Sequence, residues 1–244
     1  MENKILLIGG THGDEPIGVR ALQELAKERS DFDWIIGNEP ALKQNTREFE
    51  GNLNRSAPGD KNSPLYASRR AAEILKIAKN YKYVIDLHGT NQQTGIFIII
   101  TNSKPENWQL AAKLPIQNIV YWPSFSCELS GPLSEFLPCG LEIECGPKND
   151  PKTTEELKKI LKNFLNGEKK SAYRARSAFA ELRRTQSALI CGKRQKVFEV
   201  YGSYSGQNIN LKEFKLTKIE NEEFCPLLIG VYPEITCYKM KKIN

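Results

Sequence analysis

This chain of 244 residues holds only two histidines, and each follows an apolar run. His12 stands in the turn Gly9-Gly10-Thr11-His12-Gly13-Asp14-Glu15 behind residues 4–8 (KILLI), and His88 follows residues 83–87 (YVIDL). Where a strand gives way to a helix, a histidine and a carboxylate three residues apart can face one metal ion from the same side. Glu144 ends a third run of this kind, residues 140–144 (GLEIE). Two histidines and one glutamate make a three-donor zinc set that leaves a position for water. Zinc lowers the pKa of that water, and a carboxylate outside the set can take its proton. His12, Glu15 and His88 therefore read as metal donors, with Glu144 as the base. Taken singly, each has a plainer reading as a hydrogen-bonded structural histidine or a strand-end carboxylate; their joint occurrence argues for a site. The glycine-rich turn matches neither GxGxxG nor GxxxxGK[ST], which argues against a phosphate loop.

The elements that must position these groups follow from periodicity. Short apolar runs predict strands at 4–8, 33–36, 83–87, 96–100, 118–122 and 140–144. Apolar residues at three- and four-residue spacing predict helices at about 15–29, 65–78, 105–114 and 153–166. This alternation predicts an α/β fold with a largely parallel or mixed sheet, whose ligands bind beyond the C-terminal ends of the strands. The polar stretch 37–64 is long for a structureless connection, and such loops usually carry function. After about residue 170 the pattern changes to a basic helix at 172–184 and short strands at 196–200, 215–219, 227–231 and 235–238. The expected division is a catalytic domain at 1–170 and a small β-rich domain at 171–244.

Bulk composition narrows the class. With 40% hydrophobic and 26% charged residues, the chain matches a globular protein rather than a disordered one. No apolar run approaches a membrane span, the start MENK is unlike a signal peptide, and a cytoplasmic location is expected. Six scattered cysteines without a CxxC pair read as reduced thiols. The net charge of +6 is concentrated in 158–194, where alternation with Glu, Ala and Leu reads as solvated helix faces rather than a nucleic-acid groove.

GGTHGDE (Gly9 to Glu15), NLNR (Asn52 to Arg55), DLHGT (Asp86 to Thr90) and ECGP (Glu144 to Pro147) resemble, in the same order, motifs of the aspartoacylase/succinylglutamate desuccinylase family, which is related in fold to the zinc carboxypeptidases. The resemblance covers roughly the first 150 residues and extends more faintly to Val231-Tyr232-Pro233 and residues 238–242. It implies a zinc-carboxypeptidase-like mixed sheet flanked by helices, and one zinc per chain on His12, Glu15 and His88. By the same resemblance Glu144 acts as general base and acid, and Arg47 stabilises the oxyanion. Asn54 and Arg55 would hold the substrate carboxylate, and Tyr238 would contact substrate. Asp86, two residues before His88 on the same strand face, could orient that imidazole, with a structural capping role as the alternative. The implied substrate is a small anionic N-acyl amino acid; a carboxypeptidase or amidase, and a non-catalytic metal-dependent binding protein, are the rival readings. No nucleic acid or membrane partner is expected, and a homo-oligomer is left open. Four departures bear on specificity. Asp14 and Gly89 replace amides, Gly51-Asn52 replaces a more acidic lead into LNR, and residues 134–139 hold no arginine where aspartoacylases supply one for a dicarboxylic substrate.

Overall fold

In the computed structural model, residues 5–123, 131–174, 195–207 and 210–243 are described. The first six strands are β1 (Ile5–Gly9), β2 (Asp33–Ile36), β3 (Tyr83–Gly89), β4 (Gly95–Ile100), β5 (Asn118–Tyr121) and β6 (Gly140–Gly146). The C-terminal part adds β7 (Lys196–Tyr204), β8 (Thr217–Ile219), β9 (Glu222–Leu227) and β10 (Cys237–Lys242). The helices are α1 (Ile17–Glu28), α2 (Glu39–Gln44), α3 (Tyr66–Ala78), α4 (Pro105–Lys113), α5 (Leu133–Phe136) and α6 (Pro151–Arg174).

These strands form one mixed sheet in the order β2-β1-β3-β6-β4-β5-β7-β10-β9-β8. Strands β2, β1, β3 and β6 run parallel, and β4 lies antiparallel to β6. The β-rich C-terminal part continues the sheet beyond β5, because β7 pairs with β5 in parallel and β10, β9 and β8 follow in antiparallel order.

Alternation along the strands gives the sheet two unlike faces. One face is apolar throughout: Ile5, Leu7, Ile85, Leu87, Leu141, Ile143 and Ile98 pack against Leu22 and Leu25 of α1, Leu110 of α4, and Leu161 and Phe164 of α6. The other face carries two separate apolar clusters. Leu6, Ile8 and Val84 meet Ala71 and Ile74 of α3, while Phe97, Ile99, Val120 and Phe198 meet Leu227, Tyr238 and Met240. Between the clusters runs a polar strip. The register sets Asp86 beside Glu142 and His88 beside Glu144 on β3 and β6.

As its length suggests, the stretch 37–64 carries short elements of its own: Asn38 Oδ1 accepts from Ala41 N at 3.2 Å and caps α2, and residues Leu53–Arg55 form a 3-10 turn. Other sequence expectations need correction. The strands expected at 227–231 and 235–238 lie instead at β9 and β10. Leu228 and Gly230 take positive φ (55° and 66°), which turns the chain out of the sheet after Leu227. Most of the basic helix expected at 172–184 lies outside the described residues.

Candidate metal centre and active site

Gly10 opens the first site turn with φ 70°, a conformation that L side chains rarely adopt. Gly13 lies against the Ala41 backbone, where a Cβ could not fit, and its N–H donates to the Arg47 carbonyl at 3.2 Å. This close approach brings Arg47, from the loop after α2, over the turn that carries His12 and Glu15.

The Glu15 carboxylate lies at the centre of the cluster. Oε1 faces His12 Nδ1 at 2.9 Å and accepts from Arg47 Nη1 at 2.8 Å. Oε2 faces His88 Nδ1 at 3.2 Å and accepts from the Gly89 N–H at 3.0 Å. The two imidazole centroids are 5.0 Å apart. All three residues are buried, with potential donor atoms within 4.8 Å of one another. The outer nitrogens complete the pattern: His88 Nε2 meets Asp86 Oδ2 at 3.0 Å, and His12 Nε2 meets Asn52 Oδ1 at 3.3 Å. Each Nε2 thus faces an oxygen acceptor that favours a proton there; Nδ1 then either donates to Glu15 or, in the neutral ring, turns its lone pair to a cation held between the two rings and the carboxylate. Two nitrogen lone pairs and a carboxylate converging in this way make a donor set that fits zinc. Thr11 donates to the other Asp86 oxygen at 2.7 Å and fixes that carboxylate in turn.

Charge follows the geometry. Burial alone would raise the Glu15 carboxyl, but His12 and His88 hold it well below the usual range. Burial works against charge on His88, yet Asp86 and Glu15 hold its proton well above the usual histidine range. Surroundings that hold a proton in this way also favour a divalent cation. Burial and the Glu15 charge push the Glu144 carboxyl up to about 8. A carboxyl raised into that range is matched to proton transfer near neutrality.

A cavity of about 380 Å³ opens over the polar strip, a size that suits a small organic ligand. His12, Glu15, Arg47, Asn54, Arg55, His88 and Glu144 all line it. Asn54 is anchored by its own side chain, which accepts from Leu133 N at 3.0 Å and donates to Glu142 at 3.4 Å. The Arg55 guanidinium donates to the Asn54 carbonyl at 2.7 Å and has no ion-pair partner among the described residues. The structure does not bring Tyr238 to the wall. Tyr238 is buried in the second apolar cluster against Trp122 and Tyr232, and Tyr232 lines the cavity in its place. Burial, opposed by Arg47, raises the Tyr232 phenol and keeps it a neutral donor.

Four further groups escaped the sequence reading. Asn52 stands within NLNR without a role, and Tyr232 falls in the short connection between the strands expected at 227–231 and 235–238. Lys148 donates to Asp14 Oδ2 at 2.8 Å, which neutralises the departure inside the opening turn. Its signal was the unbalanced Asp14 itself. Glu142 reads in sequence as one more strand carboxylate on the same side of its strand as Glu144; the register sets it beside Asp86.

A family model described as the succinylglutamate desuccinylase/aspartoacylase catalytic domain matches residues 2–169. Among curated proteins, the chain is similar to a probable aspartoacylase of Prochlorococcus marinus strain MIT 9215, at 30% identity over 66% of this chain and 61% of the relative. It is similar also to one of Acaryochloris marina, at 29% identity over 59% of this chain and 55% of the relative. The chain therefore spans only about 61% of the first of these and 55% of the second. Murine aminoacylase 3 superposes with a TM-score of 0.72 at 15% identity, over 98% of this chain and 95% of that one. A succinylglutamate desuccinylase/aspartoacylase structure from Rhodobacter sphaeroides gives 0.72 at 14%, over 100% and 87%. At these identities the likeness is one of fold.

Proposed function

Since the chain belongs to the succinylglutamate desuccinylase/aspartoacylase family, we propose that it hydrolyses the amide bond of an N-acyl amino acid at this cavity. The observation that carries the proposal is the convergence of His12, Glu15 and His88 next to the raised carboxyl of Glu144.

His12, Glu15 and His88 would hold one zinc ion, with Asn52 and Asp86 fixing the imidazoles. Zinc in that position would supply a Lewis acid that acidifies water and polarises the scissile carbonyl. Glu144 takes the proton from the attacking water as its oxygen adds to the carbonyl carbon. Arg47, held over Glu15, offers fixed positive charge to the oxyanion that develops. Glu144 then returns the proton to the amide nitrogen, the C–N bond breaks, and the acyl group leaves as a carboxylate once its remaining hydroxyl proton has passed to the released amine. Arg55, without an ion pair of its own, and Asn54 beside it hold the α-carboxylate of the amino-acid half.

The test combines metal analysis with a substrate panel. Purified protein should carry about one zinc per chain and cleave N-acetyl or N-succinyl amino acids in preference to C-terminal dipeptides. Glu144→Ala should keep the metal and lose roughly 10²–10⁴-fold in kcat. An unchanged rate rejects Glu144 as the base. Preference for dipeptides favours a carboxypeptidase, and zinc without turnover of any substrate favours a metal-dependent binding protein.

A further inference from the structure

Glu142 has no part in the chemistry above, yet it lines the same cavity and is 5% exposed. It lies two residues before Glu144 on β6, so both side chains leave the same face of the sheet, about 6.5 Å apart along the strand. One carboxylate oxygen, Oε1, accepts from Ser134 Oγ at 2.8 Å and from Asn54 Nδ2 at 3.4 Å. Among the described residues no lysine or arginine pairs with it, and Oε2 makes no hydrogen bond. The chain from Tyr121 to Cys139, which supplies Trp122, Pro132 and Ser134 to this end, holds no lysine or arginine at all. Glu142 helps to hold the His88 proton but has no direct cationic partner of its own, and an acidic group so placed is costly unless a ligand supplies one.

We propose that Glu142 binds a positively charged side chain on the amino-acid half of the substrate, so that the protein acts on N-acyl derivatives of short basic amino acids. The inference rests on the deacylase reading and specifies its substrate class. Contact between Glu142 and Asn54 places the carboxylate beside the residues assigned to the α-carboxylate, hence on the amino-acid half rather than the acyl half. A second carboxylate there would face Glu142 with like charge, which disfavours a dicarboxylic amino acid.

A matched panel of N-acetyl derivatives of ornithine, 2,4-diaminobutyrate, norvaline, aspartate and glutamate, assayed on unaltered protein and on Glu142→Gln, tests the inference. Unaltered protein should favour the ornithine or diaminobutyrate derivative over the norvaline one. Glu142→Gln should lower that ratio of kcat/KM at least tenfold, as loss of a buried charge partner does. Preference for aspartate or glutamate, or a ratio unchanged in Glu142→Gln, overturns the inference and leaves the deacylase reading in place. If no N-acyl amino acid is cleaved, the deacylase reading falls. Calorimetric titration with ornithine and with glutamate then decides the role of Glu142. Ornithine binding that is lost in Glu142→Gln supports it; ornithine binding that is absent or unaltered overturns it.

Discussion

The two faces of the sheet are built from the same strands and do opposite work. On one, Leu7, Ile85, Leu87, Leu141 and Ile143 join a continuous core under α1, α4 and α6. On the other, the neighbours of those residues, Asp86, His88, Glu142 and Glu144, interrupt the apolar surface between two smaller clusters. Burial of apolar area stabilises the first face. The second face gives up that stabilisation along its middle, and each buried polar group there must find a partner. Glu15, His12, His88, Asp86 and Asn52 find one another. Chemistry therefore concentrates where the sheet has least apolar support, and the opposite face can hold the fold while the strip is altered.

That division can be broken experimentally. His12→Ala and His88→Ala should each abolish zinc binding and turnover while the protein stays folded by circular dichroism, because the apolar face is untouched. Zinc retained at full stoichiometry in both variants would reject the donor set. Leu161→Ala, at a fully buried position of α6, should do the reverse. It should cost about 2–5 kcal/mol in chemical denaturation and leave zinc content and kcat per folded molecule unchanged; a lost metal would mean that the two faces are coupled.

A half-buried carboxylate away from the strip sharpens the contrast. Glu213 accepts from Leu228 N at 3.0 Å and Ile229 N at 2.8 Å, at the base of the turn that carries Tyr232. Burial raises its carboxyl to about 7 despite those two donors. A folded pKa above the unfolded value favours the protonated form in the native state. The contribution to stability is full below pH 4.5 and is lost as pH rises through about 7. Relative to Glu213→Gln, the unaltered protein should lose up to about 3 kcal/mol across that window, read from unfolding curves at pH 5 and pH 8. A difference independent of pH would show that the folded chain does not raise the Glu213 carboxyl.

How far the sequence alone goes is seen in particular residues. The alternation in YVIDLHG and GLEIECG commits Asp86, His88, Glu142 and Glu144 to one side of their strands wherever those strands pair, because successive side chains point to opposite faces. The three-residue spacing of His12 and Glu15 likewise brings both within reach of one point. The candidate donors, the proposed base and the alternation of strands and helices are therefore legible without any tertiary contact. Contacts between distant elements are not. No local pattern distinguishes Tyr232 from Tyr238; the positive φ at Leu228 and Gly230 swings one into the cavity and leaves the other in the core. Asp14 meets Lys148 across 134 positions, and Asn52 reaches His12 across 40. Strand register, which sets Glu142 beside Asp86, is fixed by how the whole sheet packs rather than by either strand. The identity of the reacting groups is a property of local sequence, whereas the shape and charge of the cavity around them arise only when separate elements close together.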